Sequence, residues 1–151
     1  MKDRCRRPHR DKSQCPVAHA LDILGDRWTL LVIRELMFMG KHEYKEFLQA
    51  PEGISTNILS DRLKKLQCAK VIDSVAHPDF KTRKFYYLTA SGKDLIHVMV
   101  SLAAWADKNL DSVGLPPEIQ RRLRDSPQKM IRDTLRRLDD WENKVLRSTD
   151  E

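Results

Sequence analysis

The chain has no apolar run near the roughly 20 residues that a membrane-spanning helix needs. Its opening stretch, Met1 to Gln14, is charged and holds no apolar core, so it is not expected to be a secretory leader. Cysteine is scarce: Cys5, Cys15 and Cys68 are odd in number and irregular in spacing. That argues against a disulfide framework and for a reducing, cytoplasmic location. Glycine is scarce too, five in 151 residues. They are too dispersed to form a phosphate-cradling loop, and there is no nucleophile elbow. Carboxylates and histidines are scattered over expected surface positions, so no base, nucleophile and oxyanion site assemble. Cys15 and His19 lie one helical turn apart with no third ligand near them, which leaves a metal site without support. No enzyme, metal or cofactor is expected.

What the chain has is charge on a globular frame. Hydrophobic residues make up 40% and charged residues 33%, with a net charge of +6 and a pI near 9.3. Such a balance favours an acidic partner, nucleic acid first among them. The length allows one domain with a real core plus one or two further elements.

The stretch from Gly53 to Leu66 is the most informative. Gly53 makes a turn, and Ser55 is placed to cap a helix by accepting a backbone N–H of its first turn. Ile58 or Leu59, Leu63 and Leu66 fall on one side at helical spacing. The other side carries Thr56, Asn57, Ser60, Asp61, Arg62, Lys64 and Lys65. Short hydrogen-bonding groups mixed with cations suit a helix that reads base edges and holds phosphates. A short helix from Tyr44 to Ala50 precedes it across Pro51-Glu52-Gly53, which makes a helix-turn-helix. Two strands follow, Val71 to Ala76 and Lys84 to Leu88. The hairpin loop between them carries Lys81, Arg83 and Lys84, the layout of a basic wing.

Earlier in the chain, Pro16 starts a helix that stops at Gly25. Asp26 caps a second one through Trp28, Leu31, Val32 and Leu36, apolar nearly all round and so expected at the centre. After the wing, Thr89 caps a long helix running to about Leu110. Its stripe of Leu95, Val98 or Met99, Leu102, Ala106 and Leu110 calls for a cover, and a second copy of the chain is the economical one. Past Gly114-Leu115-Pro116-Pro117 come a short helix around Ile119 to Leu123 and another from about Pro127 to Leu146. The expected organisation is a basic flexible arm over residues 1–14, a winged helix-turn-helix with its dimerisation helix over 15–112, and a helical extension over 113–151. The fold class is mainly α with a small β-hairpin wing, an α+β arrangement.

Cys15-Pro16-Val17, Ala20 to Gly25, Arg27 to Leu31 and Arg34-Glu35-Leu36 resemble the opening of HxlR-type transcriptional regulators of the MarR-like superfamily. Phe47, Gly53-Ile54-Ser55, Leu59, Arg62-Leu63 and Leu66 continue the pattern, and Tyr86, Leu88-Thr89 and Gly92 match its wing exit. The resemblance covers roughly residues 15 to 110. It implies a winged-helix homodimer on a roughly palindromic double-stranded DNA operator. It also implies dimer contacts from the first helix, through Leu21 and Leu24, and from the long helix, through Leu95, Val98, Met99, Leu102 and Ala106. Several members of the family sense oxidants or electrophiles through a cysteine near position 15. Cys15, at a helix start beside a basic arm, is therefore the candidate redox sensor that the resemblance implies, with an oxidant or small molecule as effector. Cys68 is expected to be a packed thiol.

Three positions depart from the family pattern. Lys70 stands where glycine is usual, which suggests a different end to the recognition helix. Thr82 and Lys84 replace a proline and a valine, which puts the wing path in question. The extension after Gly114 is additional. On the DNA face, Thr56, Asn57, Ser60 and Arg62, next to the cap Ser55, are candidates for base or near-base contacts. Lys45, Lys64, Lys65, Lys81, Arg83 and Lys84 are the phosphate candidates. A winged-helix module used only for protein contact is the competing reading.

Overall fold

The computed structural model describes residues 13–111 and 114–147. The first twelve residues of the expected arm, Cys5 among them, lie outside that range. In chain order the elements are α1 (Pro16–Leu24), α2 (Arg27–Met37), α3 (Tyr44–Phe47), α4 (Thr56–Cys68), β1 (Ile72–Ala76), β2 (Lys84–Leu88), α5 (Ala90–Asp94), α6 (Ile96–Asn109), α7 (Pro117–Asp125) and α8 (Pro127–Arg147). They form two compact units, the first ending at Gly92 and the second starting at Lys93. This division differs from the boundary expected after residue 112. The long helix belongs with the C-terminal extension, because α6 packs on α7 and α8.

The first unit is built around α2. Asp26 caps it by accepting the Trp28 and Thr29 N–H groups at 3.0 and 3.1 Å. Val32, Ile33, Leu36 and Met37 are buried along it, and α1, α4 and β2 pack around it. Leu59, Leu63 and Leu66 of α4 join this core with Phe47, Ile72 and Leu88. Each such side chain contributes about 1.5–3 kcal/mol when fully buried. Gly53 sits at φ +70°, in the left-handed region, and this lets the chain turn sharply into α4.

The recognition helix ends as a glycine-terminated helix would, although Lys70 occupies the position. Lys70 is left-handed at φ 56°. Its N–H donates to the Gln67 carbonyl at 3.0 Å, and the Val71 N–H donates to Leu66 at 3.0 Å. That pair of bonds is the Schellman arrangement, and the Thr89 hydroxyl donates to the Lys70 carbonyl at 2.6 Å to hold it. The expected alternative ending is therefore not seen. The surrounding bonds fix the backbone, and the lysine bears the strain of a left-handed side-chain residue. Lys70→Gly should raise stability by about 1 kcal/mol, seen as a higher denaturation midpoint at unchanged slope.

β1 and β2 pair antiparallel from Ile72↔Leu88 to Ala76↔Lys84. The hairpin closes through the His77 N–H on the Arg83 carbonyl at 3.0 Å and the Arg83 N–H on Phe80 at 2.9 Å. Thr82 lies inside this turn and Lys84 opens β2, so the wing forms without the family's proline and valine. A bridge from Glu43 to Phe85 and the Tyr86 N–H on the His42 carbonyl at 2.8 Å join the wing to the helix-turn-helix.

In the second unit, Ile96, Met99, Val100, Leu123, Ile131 and Leu138 are buried. The expected continuous helix from Thr89 is interrupted at Leu95, between α5 and α6. Ion pairs link Arg122 to Asp133 at 3.0 Å and Arg124 to Asp107 at 2.7 Å. Lys93 pairs with Asp139 at 2.7 Å and with Glu142. Among the described residues no helix is long and apolar enough to cross a membrane.

Candidate nucleic-acid interface

The α4 helix turns its two faces as its sequence dictates. Leu59, Leu63 and Leu66 point into the core, and Ser55, Thr56, Asn57, Asp61, Lys64 and Lys65 are exposed. Ser55 caps the helix, its hydroxyl accepting the Ile58 N–H at 3.3 Å. Asn57, Ser60, Asp61, Lys64, Lys65 and Cys68 line an open hollow of about 260 Å³. Lys65 pairs with Asp61 at 3.1 Å, while Lys64 carries no ion pair among the described residues.

Two of the expected base-reading residues are otherwise engaged. Arg62 turns toward α2, where its Nε donates to Asp26 at 2.7 Å, and it also pairs with Asp61. The guanidinium, expected at a base, here ties the recognition helix to the cap of α2. At Asp26, burial opposes the charge, but hydrogen bonds from Thr29 and Arg62 outweigh it and hold the carboxyl below its ordinary value. Ser60 is half-buried and lies 2.9 Å from the Tyr44 hydroxyl. That hydroxyl donates its one proton to the Thr56 carbonyl at 3.0 Å, so Ser60 is left to donate to Tyr44.

Tyr44 connects the two halves of the face. Besides gripping α4, it lines an open cleft of about 440 Å³ with Glu43, Lys45, Thr82, Arg83, Lys84 and Tyr86. Lys45, Lys81 and Lys84 are exposed and hold no carboxylate among the described residues. Arg83 is more constrained. Its Nε donates to Glu43 at 2.7 Å, and its guanidinium lies 4.7 Å from the Phe80 ring centre. His77 packs on Phe80 and Phe85 with ring centres 5.0 and 4.5 Å away, which stiffens the wing loop.

A second clamp sets the turn before α4. Arg34 grips Glu52 through two bonds of 2.6 and 2.9 Å and also reaches the buried Glu35, which Lys41 holds from the other side. The Arg34 hydrogen bonds bring the Glu52 carboxyl down to about 2. Tyr44, Arg34 and the Asp26–Arg62 pair were not legible as site-shaping residues. Each acts through a partner distant in sequence, and only the Asp26 cap had a local signal.

Cys15 is exposed at the start of α1. The His19 ring, expected beside the thiol, instead lies 2.6 Å from the Ser13 carbonyl. Cys68 is exposed, so it is not the packed thiol that was expected. Among the described residues no three metal-binding side chains gather.

Apolar residues remain uncovered on two helices. α1 buries none of its residues, and Leu21 is 57% exposed, with Leu24 half-buried. On α6, Val98, Leu102 and Trp105 are 48%, 49% and 59% exposed, while Leu95 and Ala106 are half-buried. Met99 is corrected: at 8% exposure it is core of its own subunit and cannot serve as a dimer contact. Val98 is the outward member of that neighbouring pair.

Residues 23–113 match the HxlR-like helix-turn-helix family. The HTH-type transcriptional regulator sll1512 of Synechocystis sp. is 35% identical over 88 residues, which span 58% of this chain and 64% of the relative. The chain thus spans a little under two thirds of that relative's length. Among solved structures, the transcription factor PA1607 superposes with a TM-score of 0.62 at 30% identity, over 69% of this chain and 73% of its own. The reduced form of YodB from Bacillus subtilis gives 0.54 at 30% identity, over 68% and 100%, and YodB is also solved with quinone bound. With a helix-turn-helix, an attached wing and a family match over more than half of the sequence, the chain belongs to the HxlR-like helix-turn-helix family.

Proposed function

We propose that the chain is a homodimer that binds a roughly palindromic DNA operator sequence-specifically and represses transcription from it, in the cytoplasm. The observation that carries this is Tyr44. One hydroxyl anchors the exposed start of α4, and the same side chain lines the cleft bearing Lys45, Arg83 and Lys84. A reading helix and a phosphate-binding wing base are thereby held in one rigid face. A module that only contacts protein has no need of so many unpaired cations there. Thr56 and Asn57 are the base readers, with Ser55 and Ser60 shaping the helix start. Lys45, Lys64, Lys65, Lys81, Arg83 and Lys84 meet phosphates. Val98, Leu102 and Trp105 of α6 and Leu21 of α1 cover one another's copies in the dimer.

The test is a footprint of the purified protein on DNA upstream of its own gene at near-physiological salt. Two protected half-sites about 34–36 Å apart are expected. Absence of binding even at low salt would favour the protein-contact module instead.

A second reading concerns Cys15, an exposed thiol at a helix start in a chain similar to a regulator solved with quinone bound. We infer that an oxidant or electrophile acts on Cys15 and releases the DNA by changing the spacing of the two reading heads. Cys15→Ser should bind the operator normally and keep hold of it when diamide is added. Release of that variant by diamide would overturn this assignment.

A further inference from the structure

The α8 helix lies beyond the 23–113 span of the family match, and its solvent side is unusual. Ile131, Thr134 and Leu138 are its buried side. On the opposite side, at spacings of three, four and seven residues, stand Lys129, Arg132, Arg136, Asp140, Asn143 and Arg147, all exposed. Four cations face one carboxylate there. Elsewhere in this unit, Lys93, Arg122 and Arg124 are each tied to a carboxylate. Lys129, Arg132, Arg136 and Arg147 have no ion pair among the described residues. Asp133 and Asp139, which flank the ridge, pair with Arg122 and Lys93, which leaves Asp140 as the one acid within the ridge. Arg132 and Arg136 are four residues apart on one helix face, a spacing at which like charges repel. A surface kept only for solubility gains nothing from that arrangement. A polyanion removes the repulsion.

We propose that this ridge is a second DNA-contacting surface, which holds phosphate backbone outside the half-sites and adds affinity without sequence preference. The ridge runs about 27 Å from Lys129 to Arg147 at 1.5 Å per residue, close to one turn of duplex, where a charge occurs about every 1.7 Å. Duplex DNA is the occupant that the charge and length fit. The proposal rests on the DNA-binding reading above.

The experiment measures the salt dependence of operator affinity for the intact protein and for the Arg132→Gln/Arg136→Gln variant. Two DNAs are used, one trimmed to the footprinted half-sites and one extended by about ten base pairs on each side. Both substitutions are on exposed side chains, so the melting temperature should not change. Two neutralised contacts in each of two subunits should flatten the slope by about three to four units on the extended DNA, with no change in operator sequence preference. Equal slopes for variant and wild type on both DNAs, with operator binding intact, would overturn the ridge and leave the DNA-binding reading standing. Failure of the wild type to select any operator would bring down both. Loss of an acidic protein partner with unchanged slopes would also overturn the proposal.

Discussion

Leu102→Asp should convert the protein from dimer to monomer and weaken operator binding by roughly 100-fold or more. Leu102 is half exposed on a face of α6 that Val98 and Trp105 extend. The subunit itself loses little by the change, because an exposed position away from the core costs within about 0.5 kcal/mol. In a dimer the same carboxylate would be desolvated without a partner, which costs several kcal/mol. A monomer holds a single half-site and forfeits the effective concentration of its second reading head, which accounts for the size of the loss. Trp105→Ala should act in the same direction, since a large aromatic in such a patch carries a disproportionate share of binding. Sedimentation or light scattering reads the assembly state, and a footprint reads the half-sites. A Leu102→Asp protein that stays dimeric and protects both half-sites would show that α6 does not form the interface. Leu21→Asp on α1 is the companion measurement. It asks independently whether the uncovered face of that helix belongs to the same contact.

Much of this was legible in the sequence because it is written in local pattern. The leucines of α4 recur at helical spacing, Asp26 and Ser55 announce helix starts, and the alternating strands flank a basic loop, so the winged helix follows without coordinates. Local pattern fails where a residue's role is set by something far along the chain. Val98 and Met99 are neighbours on one helix, and periodicity alone could not say which faces inward; packing in the folded subunit turned Met99 in. Lys70 looked incompatible with a left-handed helix end. The Thr89 hydroxyl, nineteen residues downstream, holds its carbonyl there. Gly114 and two prolines are a stronger local break than Leu95, so local pattern puts the boundary after residue 112. Yet α6 packs forward onto α7 and α8. Arg62 is the instructive case on the DNA face. An arginine on the polar side of a recognition helix reads as a base contact, and only the folded chain reveals Asp26, thirty-six residues earlier, as its partner.

Arg62 should therefore affect DNA binding through position and not through charge. Its Nε bond to Asp26 at 2.7 Å locks α4 against the start of α2, because the same carboxylate caps that helix and accepts the Thr29 hydroxyl at 2.5 Å. Removing the guanidinium leaves the cap but frees the recognition helix to shift, and a reading site tolerates only about 0.5 Å of looseness. Arg62→Ala is expected to cost about 1 kcal/mol of stability, as befits a partly exposed pair, and to weaken operator binding by roughly tenfold or more. Its salt slope should equal that of the wild type, since no phosphate contact is lost. Lys64→Ala is the contrast: stability unchanged, and the slope flatter by about one unit per subunit. Asp26→Asn keeps an oxygen for the cap and removes the ion pair, so it should reproduce the Arg62→Ala loss. The double variant Asp26→Asn/Arg62→Ala should then be little worse than either single one, because both remove one interaction. If Arg62→Ala instead flattens the salt slope by a full unit, or if the two losses simply add, then Arg62 touches DNA directly and the pairing with Asp26 is incidental.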